Sequence, residues 1–199
     1  SFVPIVISIL KLAGKCNTKF FNPHLILSGK LNIMRIGVPQ ADEKNVWRYT
    51  MIREMTIADY EEILDLWVNT EGMGLRSLDD SREGIATFLK RNPRTSFVAL
   101  DAGKIIGAIL CGNDGRRGYI YHTVVQVPYR NQGIGTQLVE AAISALQREG
   151  ITRVCLNVLE TNEQGKAFWQ NRGWEKKDLL GFYSQSITEK ENRPFFEMQ

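Results

Sequence analysis

Cysteine and histidine are both scarce in this chain. Cys16, Cys111 and Cys155 are scattered over 199 residues at no regular spacing. That argues against a disulfide framework and for a reducing compartment, so a cytoplasmic location is expected. Cys111 and Cys155 fall in apolar runs, where a thiol packs as a small buried group. His24 and His122 are the only histidines, and with no cysteine pair beside them no metal site is expected. Long apolar runs are absent as well. Phe2 to Leu10 covers nine residues, whereas a membrane-spanning helix needs about 20. Nor does it lead into a lipoprotein signal: Lys15 stands directly before Cys16, and no Ala-x-Ala site follows. There are no internal repeats and no low-complexity tract.

The net charge of +3 is unevenly held. Residues 1–50 contain seven Lys or Arg against two Asp or Glu, while the rest contain eighteen against twenty. The basic excess therefore sits in the N-terminal stretch. A nucleic-acid surface needs a basic cluster on folded structure, so neither nucleic acid nor membrane is expected as a partner of the remainder. Residues 1–47 read as an appended segment of unknown role, either poorly ordered or lying ahead of a start at Met34 or Met51. Its charge would suit a polyanion. A folded unit follows over 48–188, with a tail at 189–199.

What the chain does have is the run Val124-Val125-Gln126-Val127-Pro128-Tyr129-Arg130-Asn131-Gln132-Gly133-Ile134-Gly135-Thr136. An apolar strand enters a turn carrying Arg-x-x-Gly-x-Gly and passes straight into a helix. Two glycines let the backbone approach a ligand without a Cβ in the way. The first helical turn leaves its amide N–H groups unpaired, and the helix dipole puts roughly half a positive charge there. Together these make a phosphate cradle. A Walker loop is excluded, because Ile134 rather than lysine follows Gly133. A dinucleotide fingerprint is excluded too, because Leu138 stands where the third glycine belongs.

Arg48 to Glu54 reads as a first strand. Thr56 and Asp59 give a short capping box, and Ile57, Tyr60, Ile63, Leu64 and Trp67 recur at helical spacing up to Asn69. A second helix is expected from Ser77 or Asp79 to about Arg91, ended by Asn92-Pro93. Thr95 to Leu100 and Lys104 to Cys111 form a hairpin over Asp101-Ala102-Gly103. Gly118 to Val125 is the next strand. A long helix fills Gly133 to Gly150, with Ile134, Leu138, Ala142, Ala145 and Leu146 as its buried stripe. Thr152 to Val158 is a near-continuously apolar strand, expected to be covered on both faces. Asn162 to Arg172 is a helix closed by Gly173. Two last strands are expected at Trp174 to Lys177 and Phe182 to Ile187. Pattern alone supports a mixed α/β (α+β) class.

At this point the chain resembles the GNAT superfamily of acyl-CoA-dependent N-acyltransferases. Three blocks carry the likeness. Arg130 to Gly135 matches the family's Gln/Arg-x-x-Gly-x-Gly/Ala pyrophosphate loop, and Tyr119 to Val125 matches the strand before it. Asn162 to Trp174 looks like the family's Asn-led helix ending in Gly-aromatic. The likeness spans about Tyr49 to Ile187. It implies a GNAT fold, with a central, mostly antiparallel sheet splayed at strands 4 and 5 and helices on both faces. It also implies an N-acetyltransferase with acetyl-CoA as co-substrate and no metal, acting on a primary amine of a small molecule or peptide. A homodimer is one assembly left open.

By the same resemblance, the pantetheine arm lies between the splayed strands and bonds backbone groups near Val124 and Val125. The amides of Asn131, Gln132, Gly133, Ile134, Gly135 and Thr136 would hold the pyrophosphate. Arg130 is a phosphate neighbour or a solvated turn residue. Asn162 touches the arm or the thioester, caps the following helix, or does both. Two groups that relatives use are missing. Trp169 stands where many members carry a tyrosine acid, and indole offers no usable proton. Asn157 stands where acetyltransferases of ribosomal-protein termini carry a glutamate base. These losses also suit a non-catalytic acyl-CoA-binding or sensing module of the same fold.

Period-two alternation places Tyr119, Tyr121 and Thr123 on the cleft side, and His122 on the opposite face as a packed, hydrogen-bonded core residue. Tyr121 is the candidate for a water-linked base or acid; the competing reading is an aromatic wall. Tyr183 is a weaker alternative. Glu54, Glu71 and Arg76 are candidates to line the acceptor site, with a solvated surface as the ordinary reading.

Overall fold

The computed structural model describes residues 40–41, 47–48 and 50–194. Most of the segment read as an N-terminal addition, Cys16 and His24 included, lies outside the described residues. So does the end of the tail. Five strands form one sheet in the spatial order of the chain: β1 (Met51–Glu54), β2 (Phe97–Asp101), β3 (Lys104–Asn113), β4 (Gly118–Val125) and β5 (Val154–Leu156). The first three pairings are antiparallel, and β5 joins β4 in parallel. Gln40–Ala41 and Trp47–Arg48 make a separate two-residue ladder.

Two cores form because β2 and β3 send alternate residues to opposite faces. Helices α1 (Tyr60–Val68) and α2 (Arg82–Arg91) bring Ile63, Leu66, Trp67 and Ile85 against Val98, Ala108, Leu110 and Val124. On the other face, α3 (Ile134–Arg148) lays Ile134, Leu138, Ala142, Ala145 and Leu146 on Ala99, Ile106, Ile109, Cys111 and Ile120. That is the stripe expected from the sequence. Helix α4 (Glu163–Gln170) adds Trp169 to the same core. Burial there, with Glu149 nearby, pushes the Cys111 thiol up to about 12. It is an inert packing group rather than a nucleophile.

The entry to α1 follows the expected chemistry. Asp59 Oδ2 accepts from the Thr56 amide at 2.8 Å, closing a capping box around a 3-10 turn at Ile57–Asp59. Helix α2 begins later than expected. Ser81 supplies its cap, with Oγ accepting from the Gly84 amide at 3.0 Å.

Two expectations fail. The strand read over Thr152 to Val158 shrinks to Val154–Leu156, and all three residues are only half-buried. Trp174 to Lys177 and Phe182 to Ile187 form no ladder. Leu179, Phe182, Tyr183 and Ile187 are 78–100% exposed, and only Trp174 packs, 4.9 Å from the Trp169 ring. The physical reason is the brevity of β5, which offers a three-residue edge to pair with. The tail instead ties back. Glu191–Pro194 runs along the loop between α1 and α2: the Ser77 amide donates to Arg193 O at 2.8 Å. The Arg193 amide donates to Ser77 Oγ at 3.0 Å, and Asn192 bonds both the Leu78 amide and Asp79. Among the described residues no helix is long and apolar enough to cross a membrane.

Candidate active site

β4 and β5 pair only at Gly118–Val154, Tyr119–Cys155 and Ile120–Leu156. From Tyr121 to Val125 β4 continues with no β5 partner, so the sheet forks. Past the fork, Val127–Tyr129 make one 3-10 turn around Pro128. The loop then turns through Asn131 at φ +61° and Gly133 at φ +80° into α3. The left-handed value at Gly133 is one that only glycine adopts without strain. The first amide of this helix with a main-chain acceptor belongs to Gln137, which donates to Gly133 O at 3.0 Å. Among the described residues nothing accepts from the amides of Asn131 to Thr136. Six donors without an acceptor thus follow one another at the positive end of a fifteen-residue helix.

Gly135 serves a different purpose from the one its motif suggests. A Cβ there would lie 2.9 Å from Phe168 Cε2, so its bareness lets α4 pack on α3. Arg130 reaches inward, with Nε donating to Val125 O at 3.0 Å and Nη1 to Gln164 Oε1 at 2.8 Å. It clamps the end of β4 to α4 beside the cradle. Arg172 was not singled out from sequence. Its guanidinium lies 3.6 Å over the Phe168 ring and donates to Thr136 Oγ1. A second cation therefore stands at the cradle. It lies 36 positions from Thr136, and its only signal in sequence is an arginine preceding a helix-closing glycine. Asn162 is the cap of α4, its Oδ1 accepting from the Gly165 amide at 2.7 Å. Its Nδ2 abuts Gly72 of the loop after α1, so it also stands between that loop and α4.

The alternation expected along β4 is broken. Leu110 faces His122, but the next residue, Cys111, faces Ile120. Tyr121 is an extra residue, a β-bulge. In consequence Tyr119, Tyr121, His122 and Val124 all turn toward α1 and α2, while Thr123, opposite Ile109, turns to the other core. The faces expected for His122 and Thr123 are both corrected by this one residue. The expectation that His122 is packed and hydrogen-bonded holds. Its Nε2 meets Asp80 Oδ1 at 2.7 Å, its side chain is 10% exposed, and its ring lies 4.9 Å from that of Trp67. Asp80 is itself fixed, its Oδ2 accepting from the Arg76 amide at 2.7 Å. The Tyr60 hydroxyl donates to its carbonyl at 2.9 Å.

Tyr121 lies at the fork, one residue beyond the last β4–β5 pair. It is 54% exposed, and its ring meets Phe88 edge-on at 5.3 Å and Tyr119 at 6.3 Å. Burial of its inner edge, and Tyr119 beside it, hold its phenol above the ordinary value. It therefore keeps its proton at neutral pH. Trp169 is buried between Phe168 and Trp174, and Asn157 is exposed past the end of β5. Glu54 belongs to β1, three strands from β4, and does not line the fork. Glu71 is exposed, and Arg76 is drawn to the tail by a bond from Nη1 to Asn192 O at 3.2 Å. Tyr183 is 91% exposed.

These features fit one kind of molecule. The run of free amides at a helix N-terminus suits a diphosphate. The fork, where β4 runs on from Tyr121 to Val125 without a β5 partner, suits an extended polar arm. A sheet forked beside such a helix terminus defines a protein with room for a long ligand that carries a diphosphate at one end. Comparison with known proteins is more specific. Residues 57–174 match the model of the Acetyltransferase (GNAT) family. Acetyltransferase SG1711 of Sodalis glossinidius (strain morsitans) is 28% identical over 138 residues, covering 69% of this chain and 96% of that protein. N-alpha-acetyltransferase 30 of Schizosaccharomyces pombe is 34% identical over 102 residues, covering 48% of this chain and 68% of that protein. Among solved structures, the PaiA N-acetyltransferase of Thermoplasma acidophilum in complex with coenzyme A superposes with a TM-score of 0.58 at 19% identity. It covers 66% of this chain and 93% of that one. The chain belongs to the Acetyltransferase (GNAT) family. It is an N-acetyltransferase that draws its acetyl group from acetyl-CoA and gives it to an amine.

Proposed function

We propose that the acceptor is a peptide α-amine in preference to an alkyl amine, and that Tyr121 donates the proton the departing sulfur needs. The observation that carries the first half is the shortage of bases at the fork. Asn157 and Trp169 replace ionisable groups, and His122 is buried on Asp80. An alkyl amine, with a pKa of about 10.4, costs roughly 4–5 kcal/mol to deprotonate at neutral pH, whereas an α-amine near 8 costs about 1 kcal/mol. A site without a strong base therefore suits the α-amine. The similarity to an N-alpha-acetyltransferase supports the same choice.

When bound, acetyl-CoA supplies an acyl group already activated by its bond to sulfur. Asn131, Gln132, Gly133, Ile134, Gly135 and Thr136 offer their amides to its diphosphate, and Arg130 holds the end of β4 in place beside them. Val125 turns its main chain to the open side of β4, where its amide is offered to the arm while Arg130 holds its carbonyl; Val124 pairs with Ala108 of β3 and supports that edge, and Asn162 borders the arm. Tyr121, protonated and at the fork, supplies the proton. The donor's place in metabolism and the unpaired Cys111 and Cys155 support a cytoplasmic location.

The test is release of CoA thiol from acetyl-CoA with a peptide carrying a free N-terminus, against the same peptide blocked there and offering one lysine. The free terminus should react faster. Tyr121→Phe should lower kcat about a hundredfold, the low end for a general acid, and flatten the basic limb of the pH–rate profile. Calorimetric affinity for acetyl-CoA should not change. An unaltered kcat removes Tyr121 from the chemistry. Tight binding with no thiol release from any amine would make the protein a binding module.

A further inference from the structure

A hollow of about 290 Å³ lies on the α1/α2 side of the sheet, lined by Phe88, Tyr119 and Tyr121 together with Arg91, Asn92, Asn113 and Asp114. Its position is what makes it informative. Tyr121 is both a wall of this hollow and the first residue of β4 past the point where β5 departs. A group seated among the three rings would hold an attached amine at the fork. One wall is aromatic throughout: Phe88 and Tyr121 meet edge-on, and Tyr119 lies beside them. Such a surface favours a large apolar or aromatic side chain.

The rim has the opposite character. Arg91, and Arg116 and Arg117 in the turn after Asp114, are exposed. Their guanidinium groups make no hydrogen bond or ion pair with any described residue. Two carboxylates stand nearby, held by neutral donors and still charged. Asp114 Oδ1 accepts from the amides of Arg116 and Arg117 at 2.8 and 2.7 Å. Glu149 Oε2 accepts from Asn113 Nδ2 at 2.8 Å. Three cations against two carboxylates leave an excess of positive charge, and the cations spread from the end of α2 along the β3–β4 turn would meet charges on successive residues of an extended chain, rather than a single group.

We propose that the hollow is the acceptor's side-chain subsite, and that it selects a peptide α-amine whose first residue is aromatic or large and apolar and whose next residues are acidic. This rests on the acyl-transfer reading of the fork and narrows its substrate. In the reaction the amine nitrogen forms the new bond to the acetyl carbon, the bond from that carbon to sulfur breaks, the amine gives up a proton to solvent and the sulfur gains one.

The experiment measures kcat/KM for four peptides beginning Phe-Glu-Glu, Phe-Lys-Lys, Gly-Glu-Glu and Gly-Lys-Lys, in the full chain and in Arg91→Glu and Arg117→Glu. Phe-Glu-Glu should be the best substrate of the unmodified protein. An exposed ion pair is worth roughly fivefold at most, so replacing both glutamates by lysine should lower kcat/KM by up to about twenty-fivefold. In each variant the ratio of acidic to basic peptide should fall toward or below one, at low salt more than at high salt. Equal rates for Phe-first and Gly-first peptides would overturn the subsite. A charge ratio unmoved by both variants would overturn the rim. Acetylation of a small amine with no peptide turned over would overturn the peptide acceptor while leaving acyl transfer intact. Absence of CoA thiol from every amine would fall on the transfer reading itself.

Discussion

Gly135 shows how one residue can carry a motif for a reason other than the one the motif suggests. Its missing Cβ faces the Phe168 ring at 2.9 Å, and that ring cannot easily yield, because Trp169 packs on it edge-on and Arg172 covers its face. Gly135→Ala gains about 1 kcal/mol of helix propensity but overpacks the α3–α4 contact, which costs about 1–3 kcal/mol. A net loss of about 1 kcal/mol in urea unfolding is expected, turning into a gain when Phe168→Leu is added in a double-mutant cycle. A loss that Phe168→Leu leaves unchanged would return Gly135 to the cradle alone. The residues of β4 make the complementary point. The strand, turn and helix around Gly133 could be read in the chain because their signal is local: a strand, two glycines and a helix in thirteen residues. The faces of His122 and Thr123 could not, because the extra residue at Tyr121 is set by pairing with β3 and leaves no mark in the alternation itself.

At the scale of elements, the sequence was most legible where an element carries its own cap. The Thr56–Asp59 box, the stripe of α3 and the glycine after α4 all lie where expected. It was least legible where an element depends on a distant edge, as with the stretch after Trp174, whose apolar residues have no strand to pair with. The box at the start of α1 also reaches sideways. Arg53 donates to both Asp59 oxygens, at 2.7 and 2.6 Å, joining β1 to the helix start. Burial raises the Asp59 pKa, but the bonds from Arg53 and Thr56 outweigh it, and the net shift is downward. The carboxylate therefore stabilises the fold above its unfolded pKa of about 3.9, and that contribution is lost as pH falls through the lower folded value. Urea midpoints of the unmodified chain and Asp59→Asn should differ by a constant amount above about pH 5 and converge below about pH 4. A difference that persists at the lowest pH would mean that packing, not charge, makes this corner.

The whole molecule couples its two cores at the fork. α3 and α4 bear on one side of β4, α1 and α2 on the other, and the tail residues Glu191–Pro194 brace the loop that ends in Asp80 and hence in His122. In the proposed placement, a donor spanning from the α3 terminus into the gap after Ile120 would bond to elements of both halves, and only in the folded state. Its binding must then stabilise the entire chain: at a free concentration one hundred times Kd the gain is about 2.7 kcal/mol. For a chain of this length that raises Tm by about 5–11 °C. Gly133→Val forces a β-branched side chain into φ +80° and should abolish this shift. The comparison is made within each protein, with and without acetyl-CoA, so a lower starting Tm in the variant does not affect it. An equal shift in both would place the diphosphate somewhere other than the six amides, and the fork would lose its claim to the arm.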